Sequence, residues 1–136
     1  VSDFNEQIIS EFRENKGHVT TAGFGSNLVL LHTTGARTGA ERVSPVMSIR
    51  DGDAWLVVAS AGGRPQHPAW YFNLLSHPET SIETPEGTVA VTATDLDGDE
   101  HARAWAKIIA LAPGFAGYQE RAVERRIPVL RLVRNA

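Results

Sequence analysis

The stretch NLVLLHTTGARTGAERVSPVMSIRDGDAWLVVAS (residues 27–60) decides the fold. Its apolar segments at 27–34, 42–50 and 54–60 are short and are punctuated by Gly35–Gly39 and by Asp51-Gly52-Asp53. Short apolar runs divided by glycine turns predict two consecutive hairpins. Pro45 has no backbone donor, so the second strand should run along an edge or carry a bulge there. The first turn also raises a chemical question. A bare hairpin needs its glycines but neither of the guanidinium groups of Arg37 and Arg42.

Outward from this stretch, residues 3–15 place Phe4, Ile8, Ile9 and Phe12 at helical spacing, with Asp3 and Glu6 as a candidate capping box. HPAWYFNLL (67–75) reads as a short helix, with His67 as its cap and Pro68 in the first helical position, ended by His77-Pro78. TSIET (80–84) and TVAVTATDL (88–96) alternate in side-chain type across a Pro-Glu-Gly turn and predict another hairpin. Residues 99–112 give a helix with Ala102, Trp105, Ile108, Ile109 and Ala112 on one face. A break and further helical turns follow in PGFAGYQERAVERR (113–126), and IPVLRLV (127–133) is a last strand. Six short strands joined mostly by hairpins suggest an α+β, mainly β domain: a small antiparallel barrel with flanking helices. They argue against a parallel nucleotide-binding sheet.

The 136 residues are most simply one domain, 1–136, with residues 1–16 as an amphipathic N-terminal helix. The chain has no cysteine, which removes disulfides and thiolate metal sites and fits a reducing compartment. Cytoplasm is therefore the expected location, with peripheral contact to the inner face of the membrane through the N-terminal helix as a weaker expectation. A formal net charge of −3 argues against nucleic-acid binding. The charge is also unevenly spread. Ser76 to His101 holds seven acids and no Lys or Arg, whereas Gly117 to Ala136 holds five arginines and two glutamates. An acidic chain with local basic spots suits one small anion better than a polyanion.

Several chemistries are set aside. The five histidines form no HExxH or other close ligand pair, so no metal is expected. DLDGDE (95–100) has its glycine in the fourth place rather than the sixth that a calcium loop needs, so Asp97 or Asp99 is better read as a helix cap. No GxSxG is present, and GFGSN (23–27) lacks the lysine of a P-loop. What remains is a pair of glycine loops, Gly35–Gly39 and Ser60–Gly63, each at the end of a predicted strand. Glycine lets backbone N–H groups close on a ligand, and such concavities attract phosphate. Arg37, Thr38 and Arg42 would add charge-assisted hydrogen bonds and a hydroxyl.

VVASAGGRPQHPAWYFNLLSHP (57–78), LLHTTGARTGAERVSPV (30–46) and APGFAGYQERAVERRIPVLRL (112–132) together resemble the deazaflavin-dependent nitroreductase family, in the right order along most of residues 28–133. That resemblance implies a split β-barrel that binds coenzyme F(420), an 8-hydroxy-5-deazaflavin, and passes a hydride from its reduced form to an electron-poor small molecule. Quinones, nitro compounds and α,β-unsaturated esters or lactones are the implied acceptors. By the same resemblance Arg37, Thr38 and Arg42 hold the coenzyme phosphate. Pro45, Val46 and Met47 line the ring and ribityl chain with Val58, Ala59, Ser60, Gly62 and Gly63, while Ala69 and Trp70 pack beside them. Met47, Ser60, Phe115 and Tyr118 face the acceptor, with Tyr118 as an orienting phenol.

Departures from the family pattern are Ala36, where many members carry a second basic residue, and Ala61, where relatives often have a polar or basic one. Phe115 and Ala112 stand where tyrosines are common. The nitroimidazole reduction of some members is therefore not carried over, while hydride transfer to other acceptors is. Two other readings stand beside this one: an FMN enzyme of the pyridoxamine-oxidase-like group, and a non-catalytic barrel that carries a lipid or cofactor. Split-barrel flavin enzymes commonly build their site across a dimer, so a monomer, the expected state here, favours the deazaflavin.

Overall fold

The computed structural model describes residues 3–19, 28–60, 66–122 and 126–135, with side chains from Glu6 onward. Strand β1 (Leu28–Thr34) turns at Gly35–Gly39 into β2 (Glu41–Asp51), and Leu28 lies opposite Met47 and Thr34 opposite Glu41. β2 turns again at Gly52-Asp53 into β3 (Ala54–Val58), which pairs with only the Ser48–Asp51 end of β2. Pro45, opposite Leu30, thus lies where β2 has a partner on one side, and its missing N–H is tolerated as an edge residue.

Helix α1 (Asp3–Glu14) precedes this unit, and α2 (Ala69–Ser76), β4 (Glu79–Thr84), β5 (Gly87–Asp95), α3 (Gly98–Leu111), α4 (Gly114–Arg121) and β6 (Val129–Arg134) follow it. The strands close in the order β1-β2-β3-β6-β5-β4, antiparallel throughout, with β1 pairing β4 to complete the barrel. Six hairpin-linked strands with flanking helices are the architecture expected from the sequence.

Alternation along the strands separates an inner core from outer ones. Val29, Leu31, Trp55, Val57, Leu130 and Leu132 form the inner cluster. Leu28 and Leu30, on the other face of β1, pack under Ile8 and Phe12 of α1. Leu56 and Val58, on the other face of β3, pack under Ile108 of α3 and Phe115 of α4. All five residues of β3 are buried because both of its faces are covered. The apolar stripe of α1 is therefore spent on the barrel wall, where each fully buried side chain contributes roughly 1.5–3 kcal/mol. Arg13 fixes the helix with two hydrogen bonds to Glu83 of β4, at 3.0 and 2.7 Å.

Local details differ from the sequence reading. Pro68 is the N-cap of α2 rather than its first residue, and no side-chain cap bond forms; His67 instead packs its ring on Tyr71 and Phe72. Asp97 takes the N-cap position of α3 without a side-chain hydrogen bond, leaving Asp99 and Glu100 to complement the helix dipole. The buried face of α3 is His101, Ala104 and Ile108, with Ala102 exposed. The cause is polar: His101 Nε2 bonds the carbonyl of Ile127 at 2.8 Å, which draws this edge of the helix inward. The cap suggested at Asp3 and the loop GFGSN (23–27) lie outside the described residues.

Candidate functional site

The Gly35–Gly39 turn is closed by two backbone bonds, Gly35 N–H to Ala40 O at 2.7 Å and Gly39 N–H to Gly35 O at 2.9 Å. Gly39 has φ +72°, a left-handed conformation that favours glycine. A Cβ on Gly35 would come within 2.9 Å of Thr38 Oγ1, so a side chain there would push the Thr38 hydroxyl aside. Thr38 Oγ1 accepts the Ala40 N–H at 3.2 Å. The N–H groups of Arg37 and Thr38, and the guanidinium groups of Arg37 and Arg42, have no partner among the described residues. Arg37, Thr38 and Arg42 are all exposed. Two uncompensated cations beside free backbone donors make a cradle for an anion, and a terminal phosphate fits it.

Asn73, a residue the sequence reading passed over, holds this turn against α2. Its Oδ1 accepts the Ala36 N–H at 3.0 Å, and its Nδ2 donates to Thr33 Oγ1 at 3.2 Å. The signal in the sequence was a single amide inside the apolar run AWYFNLLS, since such a residue in a short helix is kept for a bond it makes elsewhere. The clamp joins the arginine turn to the helix that carries Ala69 and Trp70. Ala69 is exposed, and Trp70 is half-buried against the inner cluster beside Tyr71 and Leu74.

Along β2, Val46 is buried in the inner cluster, whereas Pro45 and Met47 are half-buried. Val58 and Ala59 are likewise split: Val58 packs outward and Ala59 inward, with the Ala59 N–H bonded to Pro128 O at 3.0 Å. Val46 and Ala59 thus give their side chains to the barrel interior. Ser60 is partly exposed. Gly62 and Gly63, with Ala61, lie outside the described residues.

Met47, Phe115 and Tyr118 meet in one outer cluster with Val58 and Ala112. Phe115 is buried, its ring 5.6 Å from that of Tyr118 in a T-shaped contact, and the Arg121 guanidinium lies over the other ring at 5.6 Å from its centroid. Met47, Phe115 and Tyr118, three of the four residues expected to face an acceptor, thus share one cluster. Met47 lies six positions along β2 from Glu41 at the arginine turn, a distance of about 20 Å along an extended strand.

Two further polar contacts border the site. The Tyr71 hydroxyl donates to Asp95 Oδ2 at 2.6 Å, and burial, followed by this bond to a carboxylate, pushes the phenol up to about 12. Asp95 Oδ1 is buried without a partner. On β4 the Arg13 guanidinium, with His32 at 2.7 Å, holds the Glu83 carboxyl below its ordinary range. Among the described residues no group of three or more His, Asp or Glu could hold a metal ion, and no helix is long and apolar enough to cross a membrane.

Against this geometry, the family model described as F420H(2)-dependent quinone reductase matches residues 6–134. The chain is 40% identical over 110 residues to the F420H(2)-dependent quinone reductase Rv1261c of Mycobacterium tuberculosis (strain ATCC 25618 / H37Rv), covering 79% of this chain and 73% of that protein. Among solved structures it is similar to an F420-H2 dependent reductase (FDR-A), at 36% identity and a TM-score of 0.71, over 78% of this chain and 93% of that one. A structure described as a domain-swapped dimer is 30% identical with a TM-score of 0.73, covering 96% of this chain and 99% of that chain.

Proposed function

As a member of the F420H(2)-dependent quinone reductase family, the chain is a coenzyme F(420)-dependent oxidoreductase, and we propose that its Gly35–Gly39 turn and its Met47–Phe115–Tyr118 cluster are the two ends of the working site. The observation that carries this reading is the pair of unpartnered guanidinium groups on a turn clamped to α2. Arg37 and Arg42 bind the coenzyme phosphate, helped by the free N–H groups of Arg37 and Thr38. Pro45, Val46, Met47, Val58, Ala59 and Ser60 line the path toward the outer cluster, and Trp70 supports it from α2. An elongated ligand with a terminal phosphate suits the separation of about 20 Å between the two ends.

When bound in its reduced form the coenzyme supplies a hydride, which with one proton converts a quinone to its hydroquinone. The protein's part is to hold, orient and dry the reactants. Met47 and Phe115 offer apolar walls for a flat acceptor ring. Tyr118, next to them and under the Arg121 guanidinium, can hydrogen-bond a quinone oxygen. Family membership favours the deazaflavin over FMN and an enzyme over a carrier barrel.

The test is a fluorescence titration of the chain with coenzyme F(420) and with FMN at two salt concentrations, followed by quinone reduction. Salt-sensitive binding of the deazaflavin and turnover of a quinone are expected, because the grip is on an exposed anion. Tighter binding of FMN would overturn the reading.

A further inference from the structure

Arg121 ends the apolar stripe of α4. Phe115, Tyr118 and Ala122 stand at helical spacing and pack into the outer cluster, and Arg121 follows Tyr118 by one turn at the solvent edge. Its guanidinium covers the Tyr118 ring at 5.6 Å from the centroid and has no hydrogen bond or carboxylate partner among the described residues. A cation in the last turn suits the helix dipole, but the dipole alone does not lay the side chain over a ring of the acceptor end. The backbone beneath it is fixed. Gln119 Nε2 donates to Ala122 O at 3.1 Å, and Gln119 Oε1 accepts the Ile127 N–H at 2.9 Å, so the end of α4 is tied to the approach of β6. The cation is held beside the cluster and left uncompensated.

Reduction of a quinone creates a charge at this end of the site. The hydride's hydrogen bonds to one oxygen, the π pairs shift until the ring is aromatic, and the other oxygen stays negative until water protonates it. The two electrons come from the reduced coenzyme, so no further reductant is needed. An oxygen hydrogen-bonded to Tyr118 lies within about 8 Å of a guanidinium over that ring, which is about one Debye length at physiological salt. With no other partner, the exposed arginine can move closer still. Resting on the functional reading above, we propose that Arg121 is the cation that stabilises the hydroquinone anion as it forms, so that the site favours acceptors that gain negative charge on reduction. A cation accelerates a reaction where charge develops in the transition state, and one already neutralised by a carboxylate would have little to add.

The experiment compares two acceptors, using the full chain and reduced coenzyme. Unsubstituted naphthoquinone gains a negative charge on taking hydride, whereas N-methylphenazinium is a cation that becomes neutral. The ratio of their kcat values should fall about tenfold in Arg121→Met and in Arg121→Gln, and stay within threefold of the parent in Arg121→Lys, with the KM for naphthoquinone within threefold throughout. Binding to the coenzyme-free chain gives a readout without turnover. A hydroxynaphthoquinone that is an anion at neutral pH stands in for the product, and its binding is read by tryptophan quenching, since Trp105 packs in the same cluster. Its Kd should rise at least fivefold in Arg121→Met, while that of the neutral naphthoquinone holds. Equal losses with both acceptors would mark a structural effect and overturn the inference. An unchanged ratio, or a lysine variant no better than the methionine one, would overturn it too. A parent that reduces neither acceptor would overturn the functional reading and this inference with it, whereas an active parent whose variants keep its ratio would overturn the role of Arg121 alone.

Discussion

Asn73 and Ala36 are joined by a 3.0 Å hydrogen bond from the turn's backbone N–H to the helix side chain, 37 residues apart in sequence. The same amide donates to Thr33, which is almost wholly buried on β1. The orientation of the arginine turn is thereby set by α2 as well as by its own glycines. Asn73→Ala removes both bonds, each worth about 0.5–1.5 kcal/mol. Coenzyme affinity measured by fluorescence should fall several-fold with a melting temperature only slightly lower, and Asn73→Asp should bind worse still by adding a negative charge beside the phosphate. Unchanged affinity in both variants would show that the clamp has no part in binding.

Arg37 and Arg42 are exposed and have no partner among the described residues, so the fold does not depend on them. Arg37→Ala should weaken coenzyme binding by about 1.5–3 kcal/mol, the range of a charge-assisted hydrogen bond, with little change in thermal stability. The slope of affinity against salt should flatten in the same variant. A variant that binds as tightly as the parent, with the same salt slope, would remove Arg37 from the site.

Tyr71 keeps its proton more firmly when folded than when unfolded, its hydroxyl being buried and bonded to Asp95. A group with a raised folded pKa stabilises fully below its unfolded value and loses that contribution as the pH climbs through the folded one. Chemical denaturation should therefore show stability declining between the ordinary tyrosine value of 10.0 and about 12. Tyr71→Phe should abolish this decline and cost about 1–3 kcal/mol at neutral pH, because it leaves both Asp95 oxygens unpaired.

Glu83 behaves in the opposite sense. Arg13, then His32, lower its carboxyl from the ordinary value of 4.5, so its contribution is complete above that value and fades as the pH falls through the lower folded one. The Arg13–Glu83 pair joins α1 to β4, and acid should release the helix early. Hydrogen exchange of residues 6–14 should rise at acid pH ahead of exchange in β3, and Glu83→Gln should raise it already at neutral pH. Simultaneous exchange of α1 and β3 at all pH values would refute the idea of a separable helix.

Much of this was legible in the chain because it is local. Gly35–Gly39, Asp51-Gly52-Asp53 and the Pro85 turn announce hairpins, and the residues between them are too short and too β-branched for helices. What escaped is non-local. The pairing of β1 with β4 that closes the barrel joins residues about fifty apart, and no turn signal encodes it. His101 goes inward because of a carbonyl at Ile127, 26 residues later, so helical periodicity placed Ala102 on the wrong side. The arginine turn was readable as an anion cradle, but its dependence on Asn73 was not, since an amide's partner is visible only in three dimensions. The Ser60–Gly63 loop was read from its glycines, and only Ser60 of it lies among the described residues.

Met47 stands where the α1 cluster and the α3–α4 cluster meet, and it is the only methionine in the chain. An isotope-labelled methyl at this one position would give a single, self-assigned nuclear resonance. Its shift would respond separately to release of the N-terminal helix and to arrival of an acceptor ring. The same thioether is also the chain's one site for sulfoxide formation, which would place a polar oxygen between two apolar clusters at once.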